Sequence, residues 1–201
     1  MGWGYWGGSI GNYTGGGGGS FPFAPAVDKW KWLDQRRMTL VSDRWAKNKT
    51  NDLQAAYFNG VGYEAWENIW GIWNGITPRD GEALRRAAHI LRYFGRRGFT
   101  QSTAWEPHTP SVAHSEQVFA SKWPLKAETL WTLVNRGSSD VTGVQLVLNA
   151  SEYVRVHVRR FKHAQLEDAD GRHRYVIRHC WCAFLISAPL DGDGSLGIKL
   201  R

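Results

Sequence analysis

The sequence predicts an α/β segment followed by a small antiparallel β domain, with the change near residue 100. Two short apolar runs precede a well-marked helix in the first half of the chain. After Gly98 the hydrophobic period changes from 3.6 to 2, and turn signals separate short runs as far as residue 186. The order strand, strand, helix and then strands alone is typical of a βα segment joined to a separate β domain.

The composition is that of a folded protein with an unusual amino-terminal third. Of 201 residues, 42% are hydrophobic and 21% charged, which excludes wholesale disorder, and two cysteines cannot form a disulfide framework. No apolar run approaches the roughly 18 residues of a membrane span, and no leader peptide is visible in the first thirty residues. The net charge of +7 permits an acidic partner without establishing one.

The distribution of glycine and tryptophan divides the chain further. Ten of the 23 glycines lie in residues 1–20, and eight of the twelve tryptophans lie in residues 1–73. We expect residues 1–20 to be a flexible glycine-rich segment, because such a tract cannot bury a core. The expected regions after it are an α/β part at 21–99, a β domain at 100–190 and a tail at 191–201.

The α/β part contains three predicted elements. Residues 38–41 form an apolar, partly β-branched run that we interpret as a buried strand ending at Asp43. Residues 53–58 are interpreted as a second strand, ended by a glycine-rich turn. Thr77 then predicts the start of a helix as its N-cap, with proline next, and Gly95 is the expected residue just past its end.

The β domain is predicted from alternating patterns between turn signals. One turn is expected at the Trp123-Pro124 pair. The expected strands lie at residues 117–123, 129–135, 144–148, 154–158 and 175–186.

The densest chemistry follows the second predicted strand. Carboxylates alternate there with aromatic rings: Glu64 and Glu67 lie among Tyr63, Trp66, Trp70 and Trp73. The carboxyl ends of parallel strands carry functional groups in α/β folds. A carboxylate among indole rings loses water, so its pKa rises and it can donate a proton near neutral pH. Because indole faces also suit sugar rings, this pattern is typical of glycoside hydrolysis.

A structural interpretation of the same segment remains open. The four aromatic residues stand at i, i+3, i+7 and i+10, a helical stripe that commonly packs into a core. Gly71 and Gly75 weaken a long helix here. If the stripe is core, both glutamates belong to a solvated face.

A second candidate lies at the end of the first predicted strand. Asp43 is followed by Arg44 and Trp45, so its carboxylate could serve as acid, base or nucleophile opposite Glu67. A helix N-cap or a buried Asp–Arg pair is the alternative.

The remaining signals predict neither a metal nor a cofactor. Cys180 and Cys182 lie near His173 and His179, but no second cysteine pair completes a regular zinc ligand set. Residues 152–181 carry a net charge of +3, for which a solvated outer strand face is favoured over binding of phosphate or nucleic acid. Three glycosylation sequons, at Asn12, Asn48 and Asn149, have meaning only if the chain is secreted.

Several segments resemble one family in order along the chain. Residues 31–45 and 56–71 are similar to a glycosidase-like domain found in proteins that also carry a formylglycine-generating (sulfatase-modifying factor) domain. The resemblance covers roughly residues 21–148, and its further matching segments are residues 76–86, 105–110, 118–122 and 129–136.

The resemblance implies a (β/α)₈ barrel with a carboxy-terminal β-sandwich. This chain would contain the last two βα units of such a TIM-barrel-like domain, followed by a β-sandwich-like domain, and would be a partial glycoside-hydrolase-like protein with a carbohydrate ligand. Glu67 is then the expected general acid or nucleophile, Asp43 its partner and Glu64 the reserve. The expected sugar contacts come from Arg44, Trp45, Asn59, Tyr63, Trp66 and Trp70. A non-catalytic carbohydrate-binding or interaction module, and anion binding by the basic strands, are the alternatives.

Overall fold

A computed structural model divides the chain into two compact units, with the boundary between Thr103 and Ala104. The fold is mixed α/β: the first unit contains a parallel sheet and the second contains antiparallel sheets. The structure describes residues 23–43, 49–65, 76–110, 112, 116–142, 147–150, 155–159, 166–168, 173–177, 181–187 and 196–199.

The first unit is organised around two parallel strands joined by a helix. Strands β1 and β2 pair in parallel, from Leu40 opposite Gly62 to Asp43 opposite Ala65. Parallel neighbours need a crossover connection, and α2 provides it. The elements in chain order are α1 (Lys29–Leu33), β1 (Leu40–Asp43), α2 (Thr50–Asn59), β2 (Gly62–Ala65), α3 (Pro78–Arg96) and a 3₁₀ turn (Phe99–Gln101).

Helix α2 corrects the expectation of a strand at residues 53–58. Every residue from Asp52 to Asn59 is buried, so the helix has no long polar face and its sequence lacks the period that reveals a surface helix. Ala55 and Ala56 pack with Val41 and Val61 in a buried cluster between the helix and the strands. The predicted strand ending at Asp43, by contrast, is confirmed.

Helix α3 begins where the sequence predicts. Thr77 is the N-cap, and its hydroxyl accepts a 3.1 Å hydrogen bond from the Asp80 backbone N–H. The predicted end is wrong, because the helix continues to Arg96 and Gly98 adopts the left-handed conformation with φ of 92°. No helix among the described residues has the length and apolarity needed to cross a membrane.

The second unit is antiparallel throughout its described sheets. A five-stranded sheet has the order β3-β4-β5-β11-β8, and two smaller sheets have the orders β6-β10-β9 and β12-β7. The strands are β3 (Glu106–Pro107), β4 (Val118–Leu125), β5 (Glu128–Asn135), β6 (Val141–Thr142), β7 (Val147–Ala150), β8 (Arg155–Arg159), β9 (Leu166–Asp168), β10 (His173–Ile177), β11 (Trp181–Ser187) and β12 (Leu196–Lys199).

These strands confirm the predicted runs at 117–123, 129–135 and 154–158 and correct the others. The turn lies at Lys126-Ala127 instead of Trp123-Pro124, and Lys126 takes a positive φ of 55° there. The run at 175–186 is two strands, and β12 lies in the expected tail. Of the run predicted at 144–148, residues 147 and 148 belong to β7, and residues 144–146 lie outside the described part of the chain.

The core of the second unit is centred on two stacked indole rings. Trp105 and Trp123 lie with ring centroids 4.9 Å apart and planes within 5° of parallel. Trp123 is fully buried, and its ring N–H donates to the Thr132 hydroxyl at 3.2 Å. A buried indole keeps its hydrogen bond in this way, so the large ring is accommodated without an unsatisfied donor.

Candidate functional site

The carboxyl ends of β1 and β2 lie side by side at one edge of the parallel sheet. Asp43, the last residue of β1, is in register with Ala65, the last residue of β2. Glu64 is in register with Ser42, one step earlier. Asp43 and Glu64 therefore lie near the same edge of the sheet, one register step apart, at positions that belong to opposite faces because successive residues of a strand alternate between them.

Glu64 has a carboxylate oxygen that is removed from solvent. Its side chain is half-buried, and Oε2 has no hydrogen-bond partner among the described residues. A carboxylate oxygen without water or a donor carries a desolvation cost. Glu64 can therefore accept a hydrogen bond from a donor that reaches the end of β2.

Tyr63 belongs to strand β2, so it is not the first member of a helical stripe. The ring is half-buried and packs against the buried cluster that contains Val41 and Val61. This position makes Tyr63 a packing residue between the strands and α2. The helical spacing of the aromatic stripe is therefore wrong at Tyr63, whereas its packing against the buried cluster agrees with the core interpretation at this residue.

Asn59 holds backbone segments together. Its side chain is fully buried and makes three hydrogen bonds. Nδ2 donates to the carbonyls of Ala26 at 3.0 Å and Ala55 at 2.9 Å, while Oδ1 accepts from the Asp28 N–H at 2.8 Å. Because all its polar atoms are used by the backbone, we leave Asn59 out of the set that contacts a ligand.

Most of the other candidate residues lie outside the described part of the chain. This holds for Arg44, Trp45, Trp66, Glu67, Trp70, Trp73, His179 and Cys180, and for the side chains of Asp43, His173 and Cys182. Among the side chains that the structure does describe, no group of three or more His, Cys, Asp or Glu residues could hold a metal ion.

Asp80 is a buried charge whose full role the sequence did not reveal. Its carboxylate accepts hydrogen bonds from the Lys49 N–H at 2.8 Å, the Thr50 hydroxyl at 3.1 Å and the Arg79 guanidinium at 3.0 Å. Burial alone raises its pKa, but these donors and the Arg79 charge outweigh burial and hold the pKa below its usual value. Asp80 thus joins the start of α2 to the start of α3. The helix-start pattern signalled only its place in α3.

Lys31 is another buried charge that the sequence did not reveal. Only 4% of the residue is exposed, and Nζ donates to the Gln35 carbonyl at 2.6 Å. Burial lowers the pKa of Lys31 to about 8, against the opposing effect of the Asp28 and Asp34 carboxylates. In the sequence Lys31 lies between Trp30 and Trp32, and this local pattern does not predict that it is buried.

Comparison with known proteins gives distant likenesses among solved structures alone. No family model matches the chain, and no curated protein matches it. Among solved structures, an α-amylase from Anoxybacillus, described as giving insight into a new glycosyl hydrolase subclass, is similar with a TM-score of 0.43 and 10% identity. The match covers 77% of this chain and 39% of that one, so this chain spans about two fifths of the amylase's length. A likeness at this level carries no inference about activity.

Proposed function

We propose that this protein is a partial glycoside-hydrolase-like protein that binds or acts on a carbohydrate at the carboxyl edge of β1 and β2. The observation that supports it best is the parallel register of Asp43 with Ala65. In α/β folds the groups that act on ligands follow the carboxyl ends of the strands. Asp43, Glu64 and the residues that follow Ala65 all belong to such ends.

Two carboxylates carry the proposed chemistry. Glu67 follows the end of β2 by two residues and is the general acid or nucleophile; Asp43 at the end of β1 is its partner. A separation of about 5–5.5 Å between the carboxyl groups would give retention of configuration, and about 6.5–9.5 Å would give inversion. Glu64 is the reserve, because Oε2 has no hydrogen-bond partner among the described residues.

The sugar contacts come from side chains next to these carboxylates. The faces of Trp45, Trp66 and Trp70 pack on the C–H groups of a sugar ring, and Arg44 donates to its hydroxyls. Tyr63 contributes only through packing under the site, in keeping with its contact with the buried cluster.

The proposed architecture is a segment of a larger fold. The order β1, α2, β2, α3 is that of two successive βα units, and the resemblance to the glycosidase-like domain assigns them to the end of a (β/α)₈ barrel before a β-sandwich. A barrel takes about 250 residues, more than the 201 of this chain. Catalysis would then require the remaining strands of the barrel. We also propose that this domain occurs together with a formylglycine-generating domain, as the resemblance implies.

The experiment is a glycan array followed by a reducing-sugar assay on the glycans that bind. We expect the full chain to bind, and any hydrolysis to be lost in Glu67→Gln and Asp43→Asn with binding retained. Glu82→Gln is the matched control, because Glu82 is on α3 and bonds Arg85 and Arg86. Absence of binding to any glycan would contradict the proposal.

A non-catalytic carbohydrate-binding or interaction module is the second candidate. It is favoured by the number of parallel strands: among the described residues there are two, whereas catalytic groups of barrel enzymes come from several strand ends. Binding without turnover, unchanged in Glu67→Gln, would establish this candidate in place of the first.

A further inference from the structure

A cavity of about 680 Å³ lies in the first unit between α2, α3 and the amino-terminal ends of β1 and β2. Its walls include Leu40 of β1, Gly62 of β2 and Leu53 of α2, together with the α3 face formed by Leu84, Ala88 and Leu91. The volume falls within the roughly 300–1,000 Å³ that is typical of small-molecule sites. It borders Tyr63, which packs under the proposed carbohydrate site, but the described residues that line it include none of those proposed to contact the sugar.

The space exists because small residues occupy the positions around it. At the strand wall of the cavity, the Leu40 side chain packs directly over Gly62, where a Cβ would clash with it. Ala56, Ala87 and Ala88 keep the two helices from filling the gap. At its border Met38 is 67% exposed, so the apolar lining of the cavity continues to the outer surface. The interior is therefore suited to an apolar ligand that also covers this border.

The border of the cavity is positively charged. Arg85 and Arg92 are exposed and lie seven residues apart on α3, two turns along one side of its apolar stripe. Arg85 is held by two hydrogen bonds to Glu82, at 2.7 and 2.9 Å. Arg92 forms no ion pair among the described residues, so its guanidinium is available to an anion. The half-buried Thr100 also borders the cavity and offers a hydroxyl.

We propose that this cavity binds an amphipathic carboxylate of the fatty-acid class. The acyl chain occupies the apolar space between α2 and α3, and the carboxylate lies at the mouth beside Arg92. An uncharged apolar ligand would leave the arginine unused, and a compact polar anion would leave the apolar walls uncovered. A single-chain carboxylate satisfies both parts of the site.

The test is calorimetric titration of the full chain with dodecanoate below its micelle concentration, at neutral pH. We expect one molecule to bind per chain. Ala88→Phe fills the cavity and abolishes binding, while Ala88→Leu weakens it. Arg92→Gln weakens binding about fivefold, the size expected for one exposed ion pair, and has no effect on binding of the uncharged dodecanol. Arg96→Gln is the matched control, since Arg96 is an exposed arginine of the same helix outside the cavity wall.

Thermal melting of every variant shows whether it is folded. If Ala88→Phe does not fold, the smaller substitution Ala88→Leu still tests whether filling the cavity weakens binding. Three results would overturn the proposal: no binding by the wild-type chain, unchanged binding in both Ala88 variants, or equal effects of Arg92→Gln and Arg96→Gln. A wild-type dimer in sedimentation that Ala88→Phe separates would also overturn it, because a second copy of the chain would then cover the cavity.

Discussion

The backbone N–H of Asp28 donates a 2.8 Å hydrogen bond to Oδ1 of Asn59, across 31 positions of the chain. Both residues are fully buried. Asp28 in turn caps α1, accepting from the N–H groups of Trp30 and Lys31 at 2.9 Å. Asn59 is the last residue of α2, two residues before Val61 leads into β2. The pair therefore fixes the start of α1 to the turn from which the second parallel strand begins.

Removing the Asn59 side chain should destabilise the first unit strongly. Asn59→Ala leaves a buried N–H and two buried carbonyls without their partner, so we expect a loss of about 3 kcal/mol in the free energy of unfolding. Urea denaturation measures it. Asn51→Ala, at an exposed position of the same helix, should cost about 0.5 kcal/mol or less. Equal costs for the two variants would contradict the structural role of Asn59.

Removing the charge of Asp80 should lower stability, and the loss should depend on pH. Asp80→Asn weakens bonds from the Lys49 N–H, Thr50 and Arg79, and we expect a loss of about 1–3 kcal/mol at neutral pH. Since the pKa of Asp80 is lowered in the folded state, its contribution is complete above about pH 4 and is lost as the pH falls through the folded pKa. The difference between wild type and variant should therefore shrink in acid.

The control for Asp80 is another carboxylate two residues along α3. Hydrogen bonds from Arg85 and Arg86 lower the pKa of Glu82 to about 2, but these groups lie at the surface. Exposed ion pairs contribute little to stability, so Glu82→Gln should leave the melting temperature nearly unchanged at neutral pH. A loss as large as that of Asp80→Asn would contradict the account of Asp80.

The elements that could be predicted are those whose signals are local. Thr77 and Pro78 mark the start of α3 because a cap and a fixed φ act within one turn. Helix α2 was missed because burial on all sides removes its amphipathic period. Pro124 suggested a turn, yet it lies within β4. The neighbouring strand β3 is short and pairs only with Ser121 and Lys122 of β4, so Pro124 lies beyond its end and the missing N–H is tolerated there.

Some features of the candidate site could likewise be predicted from the sequence, and others could not. The place of Asp43 at the end of β1 could be anticipated because it ends an apolar run. The place of Glu64 in β2 could not, because the run expected to form the second strand, residues 53–58, belongs to helix α2. The role of Asn59 in holding backbone segments together could not be anticipated, because its partners at Ala26 and Asp28 are backbone groups 33 and 31 residues away. Backbone partners have no sequence signature. The burial of Lys31 is likewise a product of tertiary packing.

Replacing Lys31 should stabilise the protein at neutral pH. The folded pKa of about 8 lies below the 10.5 of an ordinary lysine side chain, so holding the ammonium charged in its buried position costs free energy. In the wild type this cost is present below pH 8 and is relieved as the pH rises from about 8 toward 10.5. Lys31→Met should therefore raise the free energy of unfolding at pH 7, less the loss of the hydrogen bond to the Gln35 carbonyl, and its advantage over wild type should decrease at pH 10.

Guanidinium denaturation at pH 7 and pH 10 measures the effect of Lys31→Met. Lys29→Met is the matched control: Lys29 is exposed, with its ammonium 5.0 Å from the Trp30 ring centre. Its substitution should change stability equally at both pH values. If Lys31→Met shows no pH-dependent difference from wild type, Lys31 is not held in a desolvated position.

The most direct test of the carbohydrate site uses the glycan that the full chain binds best. Titration calorimetry measures the affinity of the Trp66→Ala and Tyr93→Ala variants for this glycan and compares each with wild type. Trp66 follows the end of β2, whereas Tyr93 is an exposed aromatic residue on α3. We expect about tenfold weaker binding for Trp66→Ala, equivalent to about 1.4 kcal/mol, and unchanged binding for Tyr93→Ala. Equal affinities for the two variants would contradict a sugar site at the carboxyl edge of β1 and β2.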